Sequence, residues 1–289
     1  MSWFVYAFIG AIGDATYYAL VKKYVKKVPQ PVLASGIFLC VSVVTFLLLV
    51  FTSSFPVLKP NLLPALAGTV ILNFFASLLI YHALSLTDLS LVAPMKSLTP
   101  LLLIVTSYLM LKESPTWPGF VGILLIVCGS YVQHSHTALG EFGKNWKKIW
   151  QNKGVRAMSI VVVLFSISAN LDKMVVQSSS PLFALFATSL CLGLSFLLYS
   201  RVGGKTSFVI SPSFVRTCLL IALVSVIGGV AINIALSQQI VPYVTAIKRV
   251  SAVVSVLLGW WMFGERKIKT RLMGASIMFV GVLCIVLFS

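Results

Sequence analysis

The chain has 289 residues, of which 59% are apolar and only 10% charged, with a mean hydropathy of +1.02. A water-soluble globule carries close to a quarter charged residues, so these proportions exclude one and indicate an integral, multi-pass membrane protein. The net charge of +16 is split among short loops, which fits attraction to membrane lipid headgroups and excludes a nucleic-acid reading, since no soluble domain is there to enter a groove.

Runs long enough to cross about 30 Å of hydrocarbon fall at residues 2–21, 32–53, 62–84, 90–111, 116–136, 155–177, 181–200, 214–237, 242–263 and 270–288. They predict an all-α membrane protein of ten transmembrane helices. The first run holds Asp14, Tyr17 and Tyr18 and is followed by Lys22-Lys23-Tyr24-Val25-Lys26-Lys27. An acidic residue inside the run and no small-residue cleavage site make it a span rather than a signal peptide. Span three carries Tyr81-His82, and span four carries Lys96 within Pro94-Met95-Lys96-Ser97-Leu98-Thr99-Pro100, where two prolines remove backbone donors beside an embedded base. The longest connection contains the basic, interfacial stretch Glu141 to Lys148. Span six contains Asn170-Leu171-Asp172-Lys173, span eight Asn233, and span nine Lys248-Arg249.

One segment is written twice. Ala83-Leu84-Ser85, Lys96, Met110, Glu113, Gly122 and Gly129 recur without a gap, 152 positions later, as Ala235-Leu236-Ser237, Lys248, Met262, Glu265, Gly274 and Gly281. The chain therefore divides into a first five-helix repeat over 1–137, a basic connection over 138–154 and a second five-helix repeat over 155–289. Because five is odd, the second copy enters the membrane from the opposite side, giving two inverted five-helix repeats with their site expected at the repeat interface near the midplane. Loops after spans one, three, five, seven and nine hold nearly all the Lys and Arg, so the positive-inside rule places them in the cytoplasm and both termini outside.

Charges well inside an apolar span cost a few kcal/mol and normally face a cavity or a partner. Lys96, Lys248 and Arg249 are the first candidates to bind substrate. Adjacent helical side chains point about 100° apart, so Lys248 and Arg249 can share a ligand only if it has several oxygens, such as phosphate, with Arg giving a bidentate contact and Lys a point charge. Ion pairing with Asp172 or Asp88 is the structural alternative. Lys173, Asn170, Tyr81, Asn233 and Tyr18 are further candidate lining residues, equally able to serve as helix-to-helix glue. Asp14 and Asp172 are candidates for proton coupling or ion pairing.

Glu113 and Glu265 end spans four and nine just before the next helix and read as caps. Gly122, Gly129, Gly274 and Gly281, at seven-residue spacing, read as close helix contacts. Cys40, Cys128, Cys191, Cys218 and Cys284 read as small buried hydrophobes, implying no disulfide, metal or cofactor. No carboxylate lies near His82, His134 or His136 in sequence and no Gly-rich phosphate loop precedes a helix, so no catalytic constellation emerges and the chain is not expected to be an enzyme.

The stretch from Tyr81-His82-Ala83-Leu84 to Val132, with Lys112-Glu113, Gly122 and Gly129, resembles the signature half of the drug/metabolite transporter superfamily in its EamA-type branch. The copy running through Gly264-Glu265 to Gly281 resembles the second half. The resemblance implies ten helices in two inverted halves around a central cavity, alternating access, and both termini in the cytoplasm, the reverse of the loop charges. Met95 to Pro100 and Ile247-Lys248-Arg249-Val250 are similar to segments by which plastid sugar-phosphate translocators hold phosphate, which implies an anion grip by Lys96, Lys248 and Arg249. A histidine and a tyrosine those translocators use fall at Ser77 and Ser225 here, so the implied grip comes without the implied sugar.

The leading expectation is a secondary transporter, exchanging or proton-coupled, of a small organic anion carrying phosphate, in a bacterial inner (plasma) membrane. Its partners would be that anionic small molecule, membrane lipid, and protons or a counter-substrate. The alternatives are an exporter of amino acids or amphipathic metabolites with its basic residues paired internally, a flippase for a lipid-linked phosphate headgroup, and a non-transporting membrane scaffold.

Overall fold

A computed structural model describes residues 2–24, 28–86, 98–134, 153–202, 211–251, 253–254 and 268–288. Among the described residues there are ten helices and no strand: α1 (Trp3–Tyr24), α2 (Gln30–Phe51), α3 (Leu62–Leu86), α4 (Thr99–Leu111), α5 (Trp117–His134), α6 (Lys153–Gln177), α7 (Pro181–Val202), α8 (Pro212–Gln238), α9 (Val241–Lys248) and α10 (Ile268–Phe288). Stretches of α2, α3, α6, α7 and α8 are long and apolar enough to cross a bilayer, and α4, α5 and α10 hold shorter apolar stretches. The chain is an all-α membrane protein.

Local chemistry sets the helix ends and keeps polar groups satisfied. Pro31, Pro100, Pro118, Pro181, Pro212 and Pro242 all sit in a first helical turn, where a missing N–H costs nothing. Hydroxyls inside the spans return their protons to the preceding turn, as Thr45 does to Val41 O at 2.7 Å and Ser195 to Cys191 O at 2.8 Å. Helix α4 closes on Lys112 in the left-handed region, φ 58°. The duplicate position is Gly264, the residue for which that conformation carries no Cβ penalty.

The described structure divides into two compact units, and neither is a sequence half. One unit comprises Met1–Phe74 with Leu171–Gln238, the other Phe75–Asn170 with Gln239–Ser289. Each draws helices from both copies because helices pack against counterparts from the other copy: α2 with α7 in the first unit, α5 with α10 and α4 with α9 in the second.

In the first unit, Leu33, Ile37 and Val41 of α2 bury against Cys218, Ile221, Ala222 and Val226 of α8. Phe196 of α7, 1% exposed, stacks on Phe38 with ring centroids 6.1 Å apart and meets Phe74 at 5.0 Å. Helices α1 and α8 touch backbone to backbone: a Cβ on Gly13 would lie 2.8 Å from Gly228 Cα. The start of α3 packs on the end of α6 through Leu62, Ala65, Val175 and Val176. Lys59, between α2 and α3, donates from its backbone N–H to Ser178 O at 3.0 Å and from Nζ to Gln177 O at 2.9 Å. Two even-numbered connections therefore meet on one side, as alternate crossing requires.

In the second unit, Ala76 of α3 buries with Val155, Met158 and Val161 of α6. The pair α5 and α10 shows the inversion directly. A Cβ on Gly122 would fall 2.7 Å from Gly281 O, and one on Gly129 would fall 2.6 Å from Gly274 O. Since Gly274 and Gly281 are the duplicates of Gly122 and Gly129, each glycine faces the duplicate of the other. That reciprocal pattern is what a two-fold axis between antiparallel helices produces.

Candidate functional site

Span nine does not run as one helix through its described part. Helix α9 ends at Lys248; Arg249 N–H and Val250 N–H bond to Ala246 O at 3.0 Å and Ile247 O at 2.9 Å, and helical geometry resumes at Ser251. These are three-residue bonds, a 3₁₀ tightening of the kind that marks hinges when it falls inside a helix. The duplicate of Ser251 is Thr99, where α4 begins, so helix starts at the same position in both copies.

Lys248 and Arg249 occupy this break. Both are half-buried, and Arg249 Nε is buried. The seven steps from Val241 to Lys248 put the pair about 10 Å along the axis from the helix start, about a third of the hydrocarbon thickness. The carbonyl end of α9 offsets part of the cost of two adjacent cations there. Successive side chains on such a turn diverge by about 120°, so a rounded, multi-oxygen anion matches the pair better than a single oxygen does.

The other end of α9 is fixed by the connection between α4 and α5. Its N-cap residue, Ile240, has no side-chain cap of its own. Glu113 Oε2 accepts from Val241 N–H at 3.0 Å, and the buried Tyr243 hydroxyl accepts from Thr116 N–H at 2.8 Å and lies 3.0 Å from Thr116 Oγ1. Glu113 does cap a helix, as its sequence position suggests. The helix is α9; the first turn of α5 takes Thr116 as partner for Gly119 N–H.

Polar residues of α6 make hydrogen bonds within each unit. In the second unit Asn170, fully buried, accepts from Ser107 Oγ at 2.6 Å and donates to Thr106 Oγ1 at 3.0 Å and Ser166 O at 2.8 Å. That commits three of the four bonds its amide can make and ties α6 to α4. Asn170→Leu is expected to cost about 1–2 kcal/mol of stability, because Ser107 and Thr106 lose a partner where no water replaces it. Thermal melting in detergent checks this, and an unchanged midpoint would contradict it.

In the first unit Asn73 Nδ2 donates to Thr69 Oγ1 at 2.9 Å, and Thr69 passes its single proton to Asp172 Oδ1. Lys173 beside it is 5% exposed. Asn233 donates to Pro181 O at 2.9 Å, joining α8 to the start of α7. Asp14 is half-buried on α1, next to the contact of Gly13 with Gly228. Lys96 lies outside the described residues, as do the side chains of Tyr81, His82 and Tyr18.

A sequence model of the EamA-like transporter family matches residues 1–133 and again residues 152–287. The chain belongs to the EamA-like transporter family. It is thereby a member of the drug/metabolite transporter superfamily, and the family is one of membrane transporters of small molecules. An uncharacterised protein of Methanocaldococcus jannaschii is 39% identical over 61 residues, 21% of this chain and 44% of that protein, so the match spans less than half of that relative. A solved crystal structure is similar in fold, with TM-score 0.82 at 15% identity, covering 100% of this chain and 99% of the other.

In this EamA-like transporter, sequence reading missed Thr69, Asn73, Thr106, Ser107, Ser166 and Tyr243. Each is a polar group in an apolar run, which is the available signal. Asn73 bonds Thr69 four positions away; the partners of the other five lie 60 to 127 positions away in the chain, beyond what spacing reveals.

Proposed function

We propose that this EamA-like protein is a secondary transporter of a small organic anion carrying a phosphate group, working by alternating access. Lys248 and Arg249 grip the anion, with Lys96 as the duplicate cation of the first copy. The observation that carries the reading is the basic pair at the break of α9, half-buried well inside a span, with Arg249 Nε withdrawn from water. Discontinuous helices are where transporters of this general kind build substrate sites, because backbone and side-chain charge both turn inward there. The solute exchanges for a counter-substrate or moves with protons, for which Asp14 and Asp172 are the carboxylates within spans.

The test is a thermal-stability screen of the purified full chain, pairing each phosphorylated metabolite with its unphosphorylated counterpart. A site ligand at about 100 times its Kd adds about 2.7 kcal/mol by mass action, a shift of several degrees. Stabilisation by phosphorylated members alone is expected; equal stabilisation by both members of each pair would sink the phosphate assignment.

A further inference from the structure

We infer that Glu113 and Tyr243 are positioning residues that clamp the start of α9 and so set the place of Lys248 and Arg249 at its other end. This deepens the anion-grip reading and rests on it for its functional meaning, though the clamp itself stands on geometry.

Helix α9 has eight residues, with an apolar N-cap and a proline in its first turn. An isolated helix this short is not stable on its own, and an unsatisfied N–H away from water costs several kcal/mol. Glu113 removes that cost at Val241, its carboxylate also favoured by the positive end of the helix. Two residues on, about half a turn, Tyr243, 2% exposed, is held through its hydroxyl by Thr116. That hydroxyl fills the space beside Gly119, where a Cβ would collide with it. The two bonds come from one short connection, 112–116, and land on residues 241 and 243. They fix both the height and the rotation of a rigid rod about 10 Å long, and the rod ends at the basic pair. A loop remote from the anion therefore controls where two charges sit, and a shift of about 1 Å at such a distance is enough to misplace a charge-assisted contact.

The experiment uses the full chain in detergent with inorganic phosphate as probe, and reads two quantities. One is backbone amide exchange of the peptide covering residues 241–248; the other is phosphate affinity from thermal stabilisation. Glu113→Ala is expected to speed exchange of that peptide at least about tenfold, by opening it locally, and to weaken phosphate about tenfold, or about 1.4 kcal/mol. Glu113→Gln retains an oxygen acceptor for Val241 N–H and is expected to recover both to within about threefold of the parent. Tyr243→Phe should reproduce the alanine effect in part. A merely structural role would lower the melting temperature in all variants without separating Gln from Ala in phosphate affinity, and that pattern overturns the assignment. Unchanged exchange in Glu113→Ala overturns the clamp even where the parent binds phosphate. Faster exchange in a parent background that binds no phosphate supports the clamp and overturns the anion reading instead.

Discussion

Arg249→Ala is expected to weaken binding of a phosphate-bearing ligand by about 100-fold, and Lys248→Ala by about tenfold. A hydrogen bond to a charged group contributes about 1.5–3 kcal/mol, and a guanidinium offers two such bonds in a fork that matches two phosphate oxygens. Lysine gives a single point charge. Arg249→Lys should therefore fall between the parent and the alanine variant, because it keeps charge and loses the fork. Arg249 closes α9 with its backbone N–H on Ala246 O, a bond that alanine preserves, so ligand-free melting should move much less than affinity does. Binding by titration of phosphate against thermal stability measures the ratio. Parent-like affinity in Arg249→Ala would remove this residue from the site.

The largest effect on stability is expected from Gly122→Leu, at about 3 kcal/mol or more, with Gly281→Leu close behind. Over-packing a core commonly costs about 1–3 kcal/mol when side chains can give way. Here the neighbour is backbone: a Cβ on Gly122 meets Gly281 O at 2.7 Å, and a Cβ on Gly281 meets Gly122 O at 2.6 Å. A carbonyl in a helix cannot turn aside without breaking its own bond. The helices must separate, and separation at one end of a two-fold contact also loosens Gly129 against Gly274. Thermal or denaturant unfolding in detergent reads the loss. A parent-like midpoint for Gly122→Leu would show that α5 and α10 do not pack through these glycines.

Much of the fold is legible in the sequence for physical reasons. Hydrocarbon thickness fixes span length, so apolar runs locate several helices to within a few residues, as with α2, expected over 32–53 and spanning Gln30–Phe51; the runs at 90–111 and 242–263 lie partly outside the described residues. The seven-residue glycine spacing predicted a close helix contact, which α5 and α10 make. What the sequence hid was the partner of each polar group. Glu113 reads as a local cap because local capping is the commonest use of a carboxylate at a helix end. Its real acceptor role is toward Val241, 128 positions away, where Ile240 leaves a helix start uncapped. Asn170 reads equally as ligand or glue, and its bonds with Ser107, Thr106 and Ser166 are not announced by any spacing. The break at Arg249 was hidden too, since no proline or glycine follows Lys248 to announce it. The bonds from Arg249 and Val250 to carbonyls three residues back, which define the break, are visible only in the structure.

The division into units follows from the inversion and not from chain order. Helices related by the two-fold pack against each other, so α2 finds α7 and α4 finds α9, although a linear reading separates the halves at the basic connection.

The most direct test of the central claim is exchange in proteoliposomes reconstituted with the purified chain. Vesicles preloaded with a phosphorylated metabolite that passes the stability screen are assayed for uptake of the labelled compound. External inorganic phosphate is expected to inhibit this uptake, and Arg249→Ala is expected to abolish the phosphate-sensitive uptake. Uptake indifferent to phosphate and retained in Arg249→Ala would contradict an anion grip at the break of α9.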